Sequence, residues 1–251
     1  MQTQFSKQFF KEDGHYLGKP AESTNKIIQR RLNLVDTISE FKGAQLSLLD
    51  IGCGAGASLI RLAPDMKHCL GIDINDYHSA EFEKLCEESQ LSNCDFKVMN
   101  IEQEHIQNQF DRIICFEVIE HFADENKGVS AIYNALRSGG IAAISVPNKW
   151  WIFETHGAKL PLLPWNRIPF FSWLPKPIHE RFSNARIYTR KRIVKLLEKH
   201  GFTVVKTNYI MAPMDILQNG KLKNFLQNRV FRKDVTKNPM KSTSIFVVVK
   251  K

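Results

Sequence analysis

From Leu46 to Val146, short continuous apolar runs alternate with stretches in which apolar residues recur every three or four positions. Continuous runs of this length read as buried strands, and the three-to-four spacing reads as amphipathic helices. The pattern predicts strands over 46–51, 68–73, 94–99, 110–116 and 141–146, and helices over 57–63, 79–89 and 126–136. Strands that are apolar on both faces and separated by helices imply a parallel sheet covered on both sides. Upstream, Glu22, Ser23 and Thr24 offer caps for a helix reaching about Phe41, with Ile27, Ile28, Leu32, Leu34, Val35 and Ile38 near helical spacing. Such a helix could cover a bound ligand or pad the sheet, and padding is its simplest role. After a break the rhythm resumes with a helix over 189–199, capped by Thr189, then strands over 202–209 and 244–249.

The break covers residues 148–186. It holds all four tryptophans together with Pro161, Pro164, Pro169, Pro175 and Pro177. So many prolines exclude a regular helix, while the aromatic rings demand burial or a partner. The segment reads as an insertion after the fifth strand, placed to close over a substrate. Residues 1–20 read as an irregular arm anchored by Phe5, Phe9, Phe10 and Tyr16. The length of 251 residues and 43% hydrophobic content suit one domain. Its parts are an arm and helix over 1–44, a ligand-binding core over 45–148, the insertion over 149–186 and a basic C-terminal part over 187–251.

Within this frame the richest stretch is Leu48 to Gly56, where a strand runs into Asp50-Ile51-Gly52-Cys53-Gly54-Ala55-Gly56 ahead of a helix. Closely spaced glycines between a strand and a helix bring backbone amides up against a bound ligand. Gly52, Gly54 and Ala57 also satisfy the dinucleotide pattern, which leaves a nicotinamide-dependent oxidoreductase open. Asp73 closes the second strand at the spacing where an acid reaches a ribose diol. Asp50 does not suit a pyrophosphate site, because a carboxylate repels phosphate. A ligand carrying an ammonium and a sulfonium group would welcome it.

With Asp50, Gly52, Gly54, Gly56 and Asp73, and with the later Asp111–His121 and Ser138–Asn148 segments, residues 45–148 resemble the class I S-adenosylmethionine-dependent methyltransferases. The resemblance implies a Rossmann-like α/β sandwich: a mostly parallel seven-stranded sheet with helices on both faces, its last strand antiparallel beside the 202–209 strand. It also implies S-adenosylmethionine as cofactor, contacted by Asp50, Gly52, Cys53, Gly54, Gly56, Asp73, Ile74, Asn100, Ile101, Phe116 and Glu117. Asn100 stands where the family meets the adenine edge, although a turn cap would explain it equally.

Methyl transfer from a sulfonium is an in-line displacement with a good leaving group. The protein must therefore align the nucleophile and, for a hydroxyl, take its proton. Glu117, Glu120 and His121 follow the fourth strand; His121 is the candidate base and Glu120 its catalytic companion. The Glu117-x-x-Glu120-His121 run is similar to the metal-binding run of ubiquinone-pathway O-methyltransferases and of small-RNA 2′-O-methyltransferases. A divalent ion at these three residues is the corresponding alternative, with His156 or His179 as a further ligand.

Charge bears on the acceptor. Residues 1–145 carry 14 basic and 21 acidic residues, a net −7, whereas residues 146–251 carry 21 and 5, a net +16. One reading places Trp150, Trp151, Trp165, Phe170, Phe171 and Trp173 at an apolar mouth. Arg181, Arg186, Arg190, Lys191 and Arg192 would then meet an anionic membrane. The acceptor is then a small or lipid-like molecule such as a prenylated quinone precursor, O-methylated. The same charges could instead meet RNA phosphates, but the proline-rich aromatic segment fits an apolar cavity better than an open groove. No apolar run reaches the ~20 residues that span a bilayer, and the first residues lack a secretory apolar region. Five cysteines without a C-x-x-C pair read as buried thiols in a reducing, cytoplasmic compartment.

Overall fold

One eight-stranded sheet organises the chain, in the order β3-β2-β1-β4-β5-β8-β6-β7. The strands are β1 Gly43–Ile51, β2 Met66–Asp73, β3 Cys94–Val98, β4 Phe110–Phe116, β5 Leu136–Pro147, β6 Thr203–Met211, β7 Val235–Thr236 and β8 Ser242–Lys250. The structure is a computed structural model that describes residues 25–156, 169–214 and 220–251. β1 to β5 pair in parallel. β8 lies antiparallel between β5 and β6, as the resemblance implied. Strand order reverses at β1, with β2 and β3 to one side and β4 and β5 to the other. The carboxyl ends of β1 and β4 therefore flank the crevice where sheets of this topology bind ligands.

Helices cover both faces, and alternation along each strand decides which face each side chain serves. Leu49, Ile51, Ile113, Cys115, Ala142 and Ile144 pack with Val129 and Ile132 of α4 (Glu125–Ala135) and Ile193 and Leu197 of α6 (Arg190–Lys199). Their neighbours Leu48, Ile114, Ile141 and Ala143 face the other way. There they meet Leu32 and Val35 of α1 (Lys26–Asp36), Leu59 and Leu62 of α2 (Leu59–Leu62), and Phe82 of α3 (Ser79–Glu88).

The differences from the expected pattern have local causes. α2 starts two residues later than the 57–63 expected, and at its C-terminal end Pro64 turns the chain into a 3₁₀ turn over Ala63–Asp65. The eighth strand is β7, two residues paired with Tyr209 and Ile210 of β6 and too short to leave a periodic signal. The proline-rich insertion does form a helix, α5 (Lys176–Phe182), because Pro177 falls in the first turn, where its missing N–H costs nothing. The aromatic arm residues Phe5, Phe9, Phe10 and Tyr16, the caps Glu22 to Thr24, and Trp165 lie outside the described residues. All five cysteines are free thiols. No helix among the described residues is long and apolar enough to cross a membrane.

Candidate cofactor and acceptor site

The glycine bend after β1 is built as its sequence requires. Gly52 and Gly56 have φ of +69° and +81°, a region that excludes most side chains. A Cβ at Gly52 would also strike Val118, and one at Gly56 would come within 2.6 Å of the Phe82 ring. Backbone hydrogen bonds fasten the bend to β2, with the Gly52 and Cys53 N–H groups donating to the Ile72 carbonyl at 2.8 and 3.1 Å. The Asp73 carboxylate accepts the Gly54 N–H at 3.0 Å and, through its other oxygen, the Ile74 N–H at 2.7 Å. Asp50 is 4% exposed. Burial first, and the Asp73 charge second, push its carboxyl well above the ordinary range.

Beside this bend lies a hollow of about 630 Å³. Of the expected cofactor residues, Gly52, Asp73, Ile74, Asn100, Ile101 and Glu117 line it, and so does His121. Asp50, Cys53, Gly54, Gly56 and Phe116 do not. Asp50 is buried near the end of β1, and Gly54 and Gly56 shape the bend with their positive φ. The Cys53 sulfur packs towards Gly71, and Phe116 turns to Phe246, 6.2 Å between ring centres. Glu102 lines the hollow without having been foreseen. Its carboxylate accepts the Ala123 and Asp124 N–H groups at 3.0 and 2.8 Å, which ties the far wall to the turn after β4.

That turn carries the reactive candidates. Glu117 adopts φ +59°, a left-handed conformation costing a non-glycine residue about 1–3 kcal/mol. Three contacts hold it there: its N–H donates to the Ser145 carbonyl at 2.9 Å, and its carboxylate meets the Arg31 guanidinium of α1 at 3.1 Å and accepts from the Ser145 hydroxyl at 3.0 Å. The helix whose simpler role was to pad the sheet thus also reaches the site, and Ser145 was not foreseen. A 3₁₀ turn over Ile119–His121 follows. The buried Arg186 braces it by donating to the carbonyls of Phe122 and of Ala123, the latter at 3.1 Å.

Glu120 is fully buried, and neither carboxylate oxygen receives a hydrogen bond. His156 Nε2 stands 3.4 Å from one of them. Burial, then the Glu117 charge, push its carboxyl up to about 7. Burial, aided by His156 and Arg186, pulls His121 down to about 3, so its imidazole is neutral at physiological pH. Its Nδ1 is buried without a partner. His156 comes from the insertion, seated by Glu154, which accepts the His156 N–H at 3.1 Å and pairs with the buried His179 at 2.7 Å. The His121 and His156 rings meet edge to face at 5.1 Å. Burial opposes a charge on His156, but Glu120 outweighs it and raises the imidazole above its ordinary value.

Glu120, His121 and His156 each bring a ligand atom within 4.8 Å of the others. One carboxylate and two imidazoles, three of their polar atoms unpartnered, fit a divalent first-row ion. Two of the residues suggested for such a site stand apart, because Glu117 is engaged by Arg31 and Ser145, and His179 by Glu154.

A second, larger hollow of about 880 Å³ lies against the same turn. Arg31, Glu117, Trp151, Phe153, His156 and Met214 are among its lining residues. Glu117 borders both hollows, His121 the first and His156 the second. The described aromatic residues of the insertion divide between the interior and the surface. Trp151 and Phe171 are buried, whereas Trp150 and Phe170 are exposed. Of the arginines expected beside these aromatics, not all face outward. Arg186 is 4% exposed, and Arg192 is paired with Glu125 at 3.0 Å and Glu180 at 3.3 Å.

Comparison with known proteins agrees with this geometry. Residues 23–207, more than half the chain, match the family model described as a methyltransferase domain. A ubiquinone biosynthesis O-methyltransferase of Nitrobacter winogradskyi is 26% identical over 168 residues, 67% of this chain and 60% of that protein. One from Pseudomonas aeruginosa is 30% identical over 153 residues, 58% of this chain and 63% of the relative. The chain thus spans about three fifths of the length of these curated relatives. Among solved structures, N-methyltransferase NodS of Bradyrhizobium japonicum, bound to S-adenosylhomocysteine, superposes with a TM-score of 0.56 at 14% identity, covering 100% of this chain and 97% of that one. Such a likeness speaks for the fold alone. The family match removes the nicotinamide-dependent alternative, and with it the chain belongs to the methyltransferase-domain family.

Proposed function

We propose that the chain methylates a hydroxyl oxygen on a small, largely apolar acceptor of lipid-like character, such as a prenylated quinone precursor. The observation that carries this reading is the junction of the two hollows at Glu117, with one histidine on each side. The smaller hollow holds S-adenosylmethionine, with its ribose hydroxyls on Asp73, its adenine edge beside Asn100 and Ile101, and its sulfonium towards Glu117. The larger hollow, walled by Trp151, Phe153 and Met214, holds the acceptor body.

The hydroxyl proton passes to His156, the imidazole on the acceptor side, which moves the role of base from the expected His121. Glu120 faces His156 Nε2, so the proton-accepting lone pair is at Nδ1, which stands 3.0 Å from the Thr155 hydroxyl in the free protein. A carboxylate behind the ring stabilises the imidazolium as it forms, and the neutral His121 packs against it from the cofactor side. Relatives named ubiquinone biosynthesis O-methyltransferase support an oxygen acceptor of this kind. Kinetics on His156→Ala and His121→Ala, beside calorimetric titration with S-adenosylhomocysteine, test the assignment. It predicts lost turnover with cofactor affinity retained for His156→Ala. Unchanged turnover would refute it.

The unpartnered Glu120 oxygens favour a second reading. Glu120, His121 and His156 would hold a divalent cation, whose charge would lower the pKa of the acceptor hydroxyl. Metal analysis of the purified protein and activity after chelation separate the two readings. Activity that survives complete chelation removes the second.

A further inference from the structure

The segment between β6 and β8 carries a surface for which methyl transfer has no use. α7 (Lys221–Phe225) continues into a π-helical turn over Leu226–Val230. Leu222 and Phe225 are 65% and 58% exposed, and their three-residue spacing puts them on one helical face. Met240 is exposed as well. Lys221, Arg229, Arg232, Lys233, Lys237 and Lys241 are all exposed, and none of them forms an ion pair among the described residues. The single acid of residues 220–241, Asp234, is already engaged by Arg30 at 3.7 Å and Asn33 at 2.9 Å.

The segment is also attached to the rim of the acceptor hollow. Gln227 Nε2 donates to the Pro213 carbonyl at 2.8 Å, and the Phe231 ring stands edge to face with Trp151 at 6.4 Å. Pro213 and Trp151 both line that hollow. We propose that residues 221–241 form a docking surface for an anionic lipid bilayer, which brings the acceptor hollow to the lipid interface. Leu222 and Phe225 enter the boundary between head groups and acyl chains, and the surrounding cations meet the lipid phosphates. A nucleic acid fits less well, because single-strand binding relies on rows of exposed rings for base stacking. Here the two aromatics are Phe225 and Phe231, and Phe231 is turned onto Trp151. The purpose of docking rests on the lipid-like acceptor proposed above; the docking itself does not.

Vesicle flotation of the full chain tests it, with vesicles of about 30% phosphatidylglycerol in phosphatidylcholine against phosphatidylcholine alone. The wild type should float with the anionic vesicles at about 0.1 M salt, and its partitioning should fall at least about ten-fold at about 0.5 M, as charges become screened. Leu222→Asp with Phe225→Asp, and separately Arg232→Glu with Lys233→Glu, should each lower partitioning about ten-fold or more. These side chains are exposed, so both variants should keep wild-type affinity for S-adenosylhomocysteine by calorimetry, which also shows that they are folded. Three results would overturn the proposal: a wild type that does not float, variants that float like the wild type, or a wild type that ignores vesicles yet binds polyuridylate through Arg232 and Lys233. A wild type that floats but does not bind S-adenosylhomocysteine would count against the methyltransferase reading and leave the docking surface standing.

Discussion

Asp73→Asn separates the two duties that one carboxylate performs. In the free protein each oxygen accepts one backbone N–H, from Gly54 at 3.0 Å and Ile74 at 2.7 Å, and each keeps a lone pair for a ribose hydroxyl. An asparagine keeps one accepting oxygen and turns an NH₂ group towards a donor. It therefore loses one charged hydrogen bond to the protein and one to the ribose. A hydrogen bond to a charged group is worth about 1.5–3 kcal/mol. The bond to the protein exists with and without cofactor, so its loss lowers stability and leaves binding untouched. Relief of the like charge on buried Asp50 offsets part of that loss. The bond to the ribose exists only in the complex, so its loss should weaken binding by roughly ten- to hundred-fold. Calorimetric titration with S-adenosylhomocysteine measures the second effect and urea denaturation the first. A variant that is less stable but binds with wild-type affinity would refute the ribose contact and leave Asp73 as a brace for the glycine bend.

Two further outcomes follow from packing and charge. Gly128→Ala places a methyl group against the Phe122 ring, with the Cγ atom only 2.8 Å from the new carbon. Despite alanine's better helix propensity, it should destabilise the protein by about 1–3 kcal/mol and weaken cofactor binding, because Phe122 lines the smaller hollow. Wild-type Tm and cofactor affinity would contradict this. Burial alone would raise the Glu125 carboxyl, but Arg192 and the Tyr188 hydroxyl outweigh it and hold the group below its ordinary value. A depressed carboxylate contributes stability above its unfolded pKa of about 4.3 and loses that contribution as pH falls through the folded value. Arg192→Met should therefore cost about 2 kcal/mol at neutral pH, less than the 3–5 of a fully buried pair. The gap to wild type should narrow as urea midpoints are followed down towards pH 4. A gap independent of pH would show that Arg192 acts by packing alone.

The parts of this account legible in the sequence are those with a local cause. Apolar runs marked β1, β2, β4 and β5 because the central residues of each are buried on both faces, and the bend from Gly52 to Gly56 was visible because its conformation admits little else. Asp73, Asn100 and Ile101 follow strand ends, so position along the chain already placed them at the ligand side. The acceptor side had no such signal. Arg31 reaches Glu117 from a helix that precedes the first strand, and His156 reaches Glu120 from an insertion whose hold is the Glu154–His179 pair. Neither contact follows a period of two or 3.6, so no window of sequence contains it. Arg186 and Arg192 looked like surface cations for the same reason. Their partners, the turn carbonyls of Phe122 and Ala123 and the Glu125 and Glu180 carboxylates, come into view only once the chain is folded.

A structure of the complex with S-adenosylhomocysteine tests the central claim most directly. The account predicts the ribose hydroxyls on the Asp73 carboxylate, adenine beside Asn100 and Ile101, and the sulfur at Glu117 facing the His156 side. Adenosine lodged instead between Trp151 and Met214, or a ribose that leaves Asp73 untouched, would contradict it.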